Sequence, residues 1–275
     1  MMTPEQIDAE FRRLEPVCRG DPESDDYWSA LRKLAVESPT GGFPVAVNWT
    51  GSSASNERAL GLDFLNCVAH KLTEEETRAA RLACGAALSC EDDGVIIAAL
   101  AALGHLNGYE EVLNCATKHW TSANADIRYY SVFAMTGSAD ESPAVAEILL
   151  SLMTDSDGDV RDWATFAIGT QSEIDTPEVR DALRARLSDQ HDETRAEAMA
   201  GLAKRGDRSV LPSLIEAFTP DADGELSYWD RQLEAAAYLA DPALYPLLAD
   251  IDGDGSELLN TARDACRTDV APEIV

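Results

Sequence analysis

The chain has 275 residues, of which 50 are acidic and 22 basic, so its formal net charge is −28. This charge repels a phosphate backbone and an anionic lipid surface, so nucleic acids and membranes are excluded as expected partners. A hydrophobic fraction of 45% with 26% charged residues is typical of a folded chain and excludes a disordered one.

Residues 1–54 are expected to form N-terminal capping helices. Residues 1–37 predict two helices that match the later repeat poorly, as terminal units of repeat proteins commonly do. Residues 41–49 fit either a short strand or a short helix, and we favour the helix. Because no basic segment is followed by an apolar one, we expect no signal peptide and a cytoplasmic location.

From residue 55 onward, one pattern recurs. Its clearest copy, residues 155–169, is an acidic turn followed by a β-branched residue, an arginine, and then alanines and apolar residues. The arginine slot falls at positions 58, 96, 128, 161, 195 and 232, in steps of 38, 32, 33, 34 and 37 residues. In the clearest copy, apolar residues at i, i+4, i+7 and i+8 form the stripe of an amphipathic helix.

A second apolar-periodic stretch lies between copies and has its own helix-start signal. Thr176-Pro177 and Asp241-Pro242 each offer an N-cap and a proline, and residues 73–76 read as a capping box. Each unit is therefore predicted to be two helices joined by a turn. Residues 55–275 would form an all-α superhelix of about seven hairpins, continuous with the cap.

The order of acidic turn, Val160, Arg161 and Ala164 resembles the HEAT repeat, especially the bacterial form known as the phycobilisome-lyase HEAT-like repeat. The resemblance is strongest over residues 124–205 and weakest before residue 55. It implies an α/α superhelix, a HEAT/armadillo-like solenoid, whose second helices line a concave surface used mostly for binding protein partners. Function does not follow from such a scaffold.

The repeated arginines allow two interpretations. They could form an anion-binding row, but each follows an acidic turn and can pair with carboxylates of its own or the adjacent repeat. We therefore interpret them as a structural ladder. The four are Arg58, Arg128, Arg161 and Arg195.

Aligned copies predict an aromatic stripe that passes into an acidic one along the concave wall. Aromatic anchors with a charged rim are typical of binding hot spots. The alternative is that these aromatic side chains only fill the packing between repeats. The predicted partner-binding residues are Tyr129, Tyr130, Phe133, Asp162, Trp163, Phe166, Glu197 and Glu234.

Metal and cofactor sites are not expected. Residues 250–255 resemble the start of a calcium loop, but Glu257 and Thr261 stand where an apolar residue and a bidentate glutamate are needed. The six cysteines are irregularly spaced and lack a Cys-x-x-Cys pair, which indicates reduced structural thiols. Three of them lie in apolar helical stretches, where a thiol behaves as a small hydrophobe: Cys67, Cys84 and Cys115.

No catalytic motif is present, so we expect a protein that is not an enzyme. The chain has no His-Glu dipeptide, which HEAT-type deoxyhypusine hydroxylases use as iron ligands, and its four histidines are scattered. The net charge opposes the cationic groove that HEAT-like DNA glycosylases need. A bilin-lyase-like or metal-dependent enzyme stays open as a third hypothesis, although nothing in the sequence marks a chromophore pocket.

The first hypothesis is a non-catalytic protein-binding scaffold or adaptor for a basic partner, because an acidic surface steers cationic ones. Residues 141–275 have 29 acidic and 11 basic residues, so we expect the partner to favour this half. The alternative is an inhibitor or immunity-type protein that neutralises a cationic enzyme by mimicking the charge of nucleic acid. The acidity could instead reflect adaptation to salt or genome composition.

Overall fold

Fifteen α-helices and no β-strand make up the part of the chain that the computed structural model describes, residues 2–20, 24–106, 117–223, 226, 230–251 and 256–267. The helices are α1 (Pro4–Gly20), α2 (Asp25–Glu37), α3 (Pro39–Thr50), α4 (Ser55–Val68), α5 (Glu74–Ala87), α6 (Asp93–His105), α7 (Ala125–Met135), α8 (Pro143–Leu152), α9 (Gly158–Gly169), α10 (Pro177–Arg186), α11 (Asp192–Lys204), α12 (Leu211–Ala217), α13 (Asp230–Leu239), α14 (Tyr245–Ala249) and α15 (Glu257–Cys266). The predicted all-α fold class is confirmed, and residues 41–49 lie within helix α3.

The predicted start signals cap helices by local hydrogen bonding. At α5, the Thr73 hydroxyl accepts from the Glu76 backbone N–H, and the Glu76 carboxylate accepts from the Thr73 N–H, which completes the capping box. Thr176 caps α10 ahead of its proline. At α9, Asp157 accepts from two backbone N–H groups, which places its charge at the positive end of the helix.

The chain divides into two compact units, residues 1–138 (unit 1) and 139–275 (unit 2). The sequence predicted capping helices over residues 1–54 that are continuous with the repeats from residue 55, and that prediction is not tested by this division. Residues on both sides of residue 54 share one core: the Phe11 ring centroid lies 5.3 Å from that of Trp49 and 5.2 Å from that of Phe64. The N-terminal helices are therefore part of unit 1's core.

Within each unit, the second helices of successive hairpins pack side by side. In unit 1, α4 packs on α6 and α6 on α7; in unit 2, α9, α11, α13 and α15 pack in that order. The first helices α8 and α10 pack against the second helices of their own hairpins. A hairpin with two apolar faces buries one against its own partner helix and the other against the neighbouring repeat.

Candidate functional site

Three neighbouring second helices of unit 2 bring charged and aromatic side chains together. We call this cluster the acidic site, and it consists of Asp162, Trp163 and Phe166 of α9, Glu197 of α11, and Arg231 and Glu234 of α13. Five of these six residues belong to the stripe predicted from the sequence.

Arg231 holds the site together. Its Nε donates to Glu197 Oε1 and its Nη1 to Glu234 Oε2, each at 2.5 Å. Its Cζ lies 4.9 Å from the ring centroid of Phe166, within the range of a cation–π interaction. One guanidinium thus links α9, α11 and α13.

Two carboxylate oxygens in the site lack a hydrogen-bond donor. Among the described residues, Asp162 Oδ1 and Glu197 Oε2 are buried and accept no hydrogen bond. Glu197 is only 7% exposed. A buried polar oxygen without a donor costs free energy, so the hydrogen bonding of the site is incomplete even though Glu197 is paired with Arg231 through its other oxygen.

Burial shifts the acidity of both groups. It raises the pKa of Asp162 to about 6, an effect that His191 partly opposes. It raises the pKa of Glu197 to about 7, opposed by Arg231 and reinforced by the negative charges of Asp162 and Glu234. Both carboxyls therefore titrate between pH 5 and pH 8, so the charge of the site changes across this range.

Aromatic rings border these carboxylates. Trp163 and Phe166 lie edge to face with ring centroids 5.5 Å apart, and both residues are half-buried. When fully ionised, the three carboxylates carry two more charges than Arg231 neutralises. Excess negative charge beside aromatic rings is suited to a guanidinium or ammonium group, which can form ion pairs and stack.

The other three residues of the predicted stripe belong to unit 1. A Cβ added at Gly104 of α6 would lie 2.3 Å from the Phe133 ring, and the His105 ring is 5.0 Å from it, so Phe133 fills packing between helices. Tyr130 contacts the unit 1 core, and its ring centroid lies 5.0 Å from that of Tyr129.

The predicted ladder arginines have different partners. Arg161 forms a bidentate pair with Asp189, which lies in the turn between α10 and α11, at 2.9 and 2.8 Å. Arg195 pairs with Asp192 of its own repeat at 2.6 Å. Arg128 donates to the Ser122 and Ala123 carbonyls, whereas Arg58 donates to Ser55 Oγ and Cys90 Sγ.

Two arginines that link helices of unit 2 were not singled out by the sequence analysis. Arg231 lies one position before the repeated slot, so the repeat alignment drew attention to residue 232. Arg205 directly follows the last residue of α11 and donates to the carbonyls of Ile168, Gly169 and Gly201. The sequence could have indicated these contacts, because a basic residue at a helix C-terminus commonly binds free carbonyls.

The remaining sequence predictions concern metal ligation, the cysteines and membrane insertion. Among the described residues, no three His, Cys, Asp or Glu side chains are grouped to hold a metal ion. Most of the calcium-like loop, residues 252–255, and Cys115 lie outside the described residues. Burial raises the pKa of Cys84 to about 12 and that of Cys67 to about 12, as expected of structural thiols. No helix in the described ranges is long and apolar enough to cross a membrane.

Comparison with known proteins shows which repeats and folds the chain resembles. Residues 145–229 match the profile of HEAT repeats. Kap121p aligns with a TM-score of 0.54 and 15% identity over 95% of this chain and 32% of Kap121p. A designed armadillo repeat protein aligns with a TM-score of 0.50 and 18% identity over 73% of this chain and 98% of the designed one. The fold is therefore that of an all-α, HEAT/armadillo-like solenoid.

A more specific relative is protein YibA of Escherichia coli. It is 32% identical over 143 residues, which are 51% of this chain and 48% of YibA. The chain thus spans about half the length of the curated relatives it matches. The X-ray structure of YibA superposes with a TM-score of 0.64 and 22% identity over 95% of this chain and 94% of YibA.

Proposed function

We propose that this chain is a non-catalytic protein-binding scaffold whose acidic site receives a cationic side chain of a basic protein partner. The observation that carries the proposal is the pair of buried oxygens without donors, Asp162 Oδ1 and Glu197 Oε2, beside two aromatic rings. A partner's arginine or lysine bound beside these carboxylates, against the half-buried Trp163 and Phe166, would supply the missing positive charge.

The chain's own Arg231 indicates how such a cation binds. It stacks on Phe166 and donates to carboxylates of two helices. A planar guanidinium matches this combination of ring face and paired acceptors better than a compact ammonium does. We therefore expect the partner to present an arginine.

Repeat proteins of this class give the proposal context. Kap121p has been solved bound to Nup53p, so for that protein a helical-repeat chain holds a protein partner. Assignment to the phycobilisome-lyase type stays a hypothesis, as does the inhibitor alternative. The inhibitor alternative predicts that a bound cationic enzyme loses its activity.

A defined peptide tests the proposal. Titration calorimetry would compare an acetylated, amidated Gly-Arg-Gly peptide with its citrulline counterpart, which is neutral but similar in shape. We expect the arginine peptide to bind and the citrulline peptide to bind at least about tenfold more weakly. Equal binding of the two peptides would contradict a charge-reading site.

A double variant locates the binding. Asp162→Asn with Glu197→Gln is expected to abolish selectivity for arginine over citrulline. The matched control, Glu178→Gln with Asp181→Asn, removes two charges from exposed positions of α10 in the same unit. If the control weakens binding as much as the site variant does, the peptide is responding to overall charge and the proposed site is wrong.

A further inference from the structure

Unit 1 contains a cavity that is separate from the acidic site. It lies beside α2, the end of α4 and the end of α6, and its volume is about 460 Å³. Small-molecule sites commonly have volumes of about 300–1,000 Å³. The residues that line it are Trp28, Arg32, Ala35, Val36, Asn66, Cys67, His70, Lys71 and His105.

The charge of this lining is opposite to that of the whole chain. It includes Arg32, Lys71 and two histidines, and it contains no Asp or Glu among the described residues. Lys71 is one of only four lysines in a chain with 50 acidic residues. A local reversal of sign in so acidic a protein is not explained by its general composition.

Among the residues that the structure describes, the two permanent cations of the lining have no carboxylate partner. Within the described part of the chain, neither Arg32 nor Lys71 forms an ion pair, and the Arg32 Nε donates only to the Trp28 carbonyl. By contrast, the neighbouring Lys33 lies 3.9 Å from Glu37. Arg32 and Lys71 thus have donors available for an anion that enters the cavity.

The other lining residues are suited to contact the apolar part of a ligand. Trp28, Ala35 and Val36 of α2 supply an indole ring and aliphatic groups, and Val36 is 68% exposed. Burial raises the pKa of Cys67 to about 12, so its thiol is protonated and supplies no nucleophile. The arrangement is suited to binding and not to covalent chemistry.

We propose that this cavity binds a small organic anion in which a carboxylate or phosphate head is attached to an aromatic or aliphatic body. Arg32 and Lys71 contact the head, and Trp28 packs on the body. The two histidines provide further hydrogen-bonding groups at the head. This site lies within unit 1, so the proposal stands independently of the acidic site in unit 2.

Four ligands separate the contributions of head and body. Benzoate and phenyl phosphate carry both, benzamide lacks the charge, and inorganic phosphate lacks the body. We expect benzoate or phenyl phosphate to bind and to shift the NMR signal of the Trp28 indole N–H. Whichever of the two binds more tightly identifies the head. The proposal would be overturned if benzamide, or inorganic phosphate alone, bound as tightly as the tighter of benzoate and phenyl phosphate.

Matched variants of α2 locate the ligand. Arg32→Gln combined with Lys71→Gln is expected to weaken anion binding about tenfold or more, because two charge-assisted contacts are lost. Lys33→Gln removes one charge from the adjacent position, which does not line the cavity, and should leave binding unchanged. The side chains of Arg32 and Lys71 are both exposed, so the fold of the double variant should persist, and circular dichroism would verify this. Equal loss in the Lys33 variant would reject the cavity as the site.

Discussion

Gly201 of α11 packs directly against Gly169 of α9. A Cβ built on Gly201 would lie 2.6 Å from the Gly169 Cα, a separation that real Cβ atoms do not show. The two helices therefore approach more closely than any side chain would allow. Glu197 lies one helical turn before Gly201, and Asp162 lies two turns before Gly169, so the same approach brings these two carboxylates together.

Gly201→Ala should destabilise unit 2. The added methyl group would collide with backbone, which cannot move aside as a flexible side chain could, and overpacking of this kind typically costs about 1–3 kcal/mol. Urea denaturation would measure the loss. Gly85→Ala in α5 is the control: a Cβ there meets nothing within 4 Å, so alanine should stabilise the helix by about 0.5–1 kcal/mol. Equal effects of the two substitutions would contradict the close approach.

Arg205→Lys should cost about 2–3 kcal/mol although the charge is kept. The Arg205 guanidinium donates to backbone carbonyls at the ends of α9 and α11 and in the loop that follows α9. Lysine cannot reproduce this forked set of donors, so several carbonyls would lose their partner.

Thermal and urea unfolding would compare this variant with Arg13→Lys. The Arg13 side chain is 64% exposed, and within the described ranges its ion pair is with Glu10 on its own helix. Its replacement should change the free energy of unfolding by less than about 0.5 kcal/mol. An Arg205 variant as mild as the Arg13 variant would show that the carbonyl contacts contribute little.

Asp189→Asn should destabilise the protein at neutral pH by about 2–3 kcal/mol. Hydrogen bonding to Arg161 lowers the pKa of Asp189 to about 2, and the Asp189 side chain is only 5% exposed. In the unfolded state an aspartate has a pKa of about 3.9. The stabilisation from this pair is therefore complete above that pH and is lost as the pH falls through about 2.

The difference in unfolding free energy between wild type and Asp189→Asn should therefore shrink between about pH 4 and pH 2. Asp192→Asn serves as the control, because this side chain is 57% exposed and pairs with Arg195 three residues away on its own helix. It should cost less than about 1 kcal/mol at any pH. A constant penalty for the Asp189 variant down to pH 2 would argue against an ionised Asp189–Arg161 pair.

Glu197→Gln should gain stability relative to wild type as the pH rises. In the folded state the pKa of Glu197 is raised to about 7, whereas an unfolded glutamate titrates near about 4.3. Between these values the native state retains a proton that the unfolded state has released, so wild-type stability falls with increasing pH. Glutamine cannot ionise and avoids this loss.

Urea unfolding at pH 5 and pH 8 measures the effect. The stability of Glu197→Gln minus that of wild type should increase by an amount on the order of 2 kcal/mol between the two values. The exposed Glu216→Gln should show no such change. A difference that does not vary with pH would mean that Glu197 is not a buried, titrating group.

The repeat and its helix boundaries could be predicted from the sequence because they depend on local interactions. Thr73, Asp157 and Thr176 each accept from backbone N–H groups within three residues, and such caps can be recognised in any helical context. Five residues of the acidic site were also predictable, because an equivalent position in successive repeats projects from the same side of the stacked second helices.

The contacts that Arg231 and Arg205 make with other helices could not be predicted in this way. Arg231 pairs with Glu197 across 34 positions of sequence, and Arg205 reaches the Ile168 carbonyl across 37. Whether such side chains meet depends on the distances between α9, α11 and α13, and the glycine contact sets only the distance between α9 and α11. The unit 1 cavity likewise combines residues from three helices and from the turn after α4, and their spacing leaves no periodic signal.

The amino-acid sequence alone determined that the chain is all-α, where its helices begin, and which face of each second helix is polar. These properties follow from hydrogen bonds and apolar spacing over a few residues. Only the tertiary structure decided which carboxylate oxygens are left without a donor and which of the described cations lack a carboxylate. Burial and pairing depend on the separation of helices, and that separation arises from packing between residues that are distant in the chain.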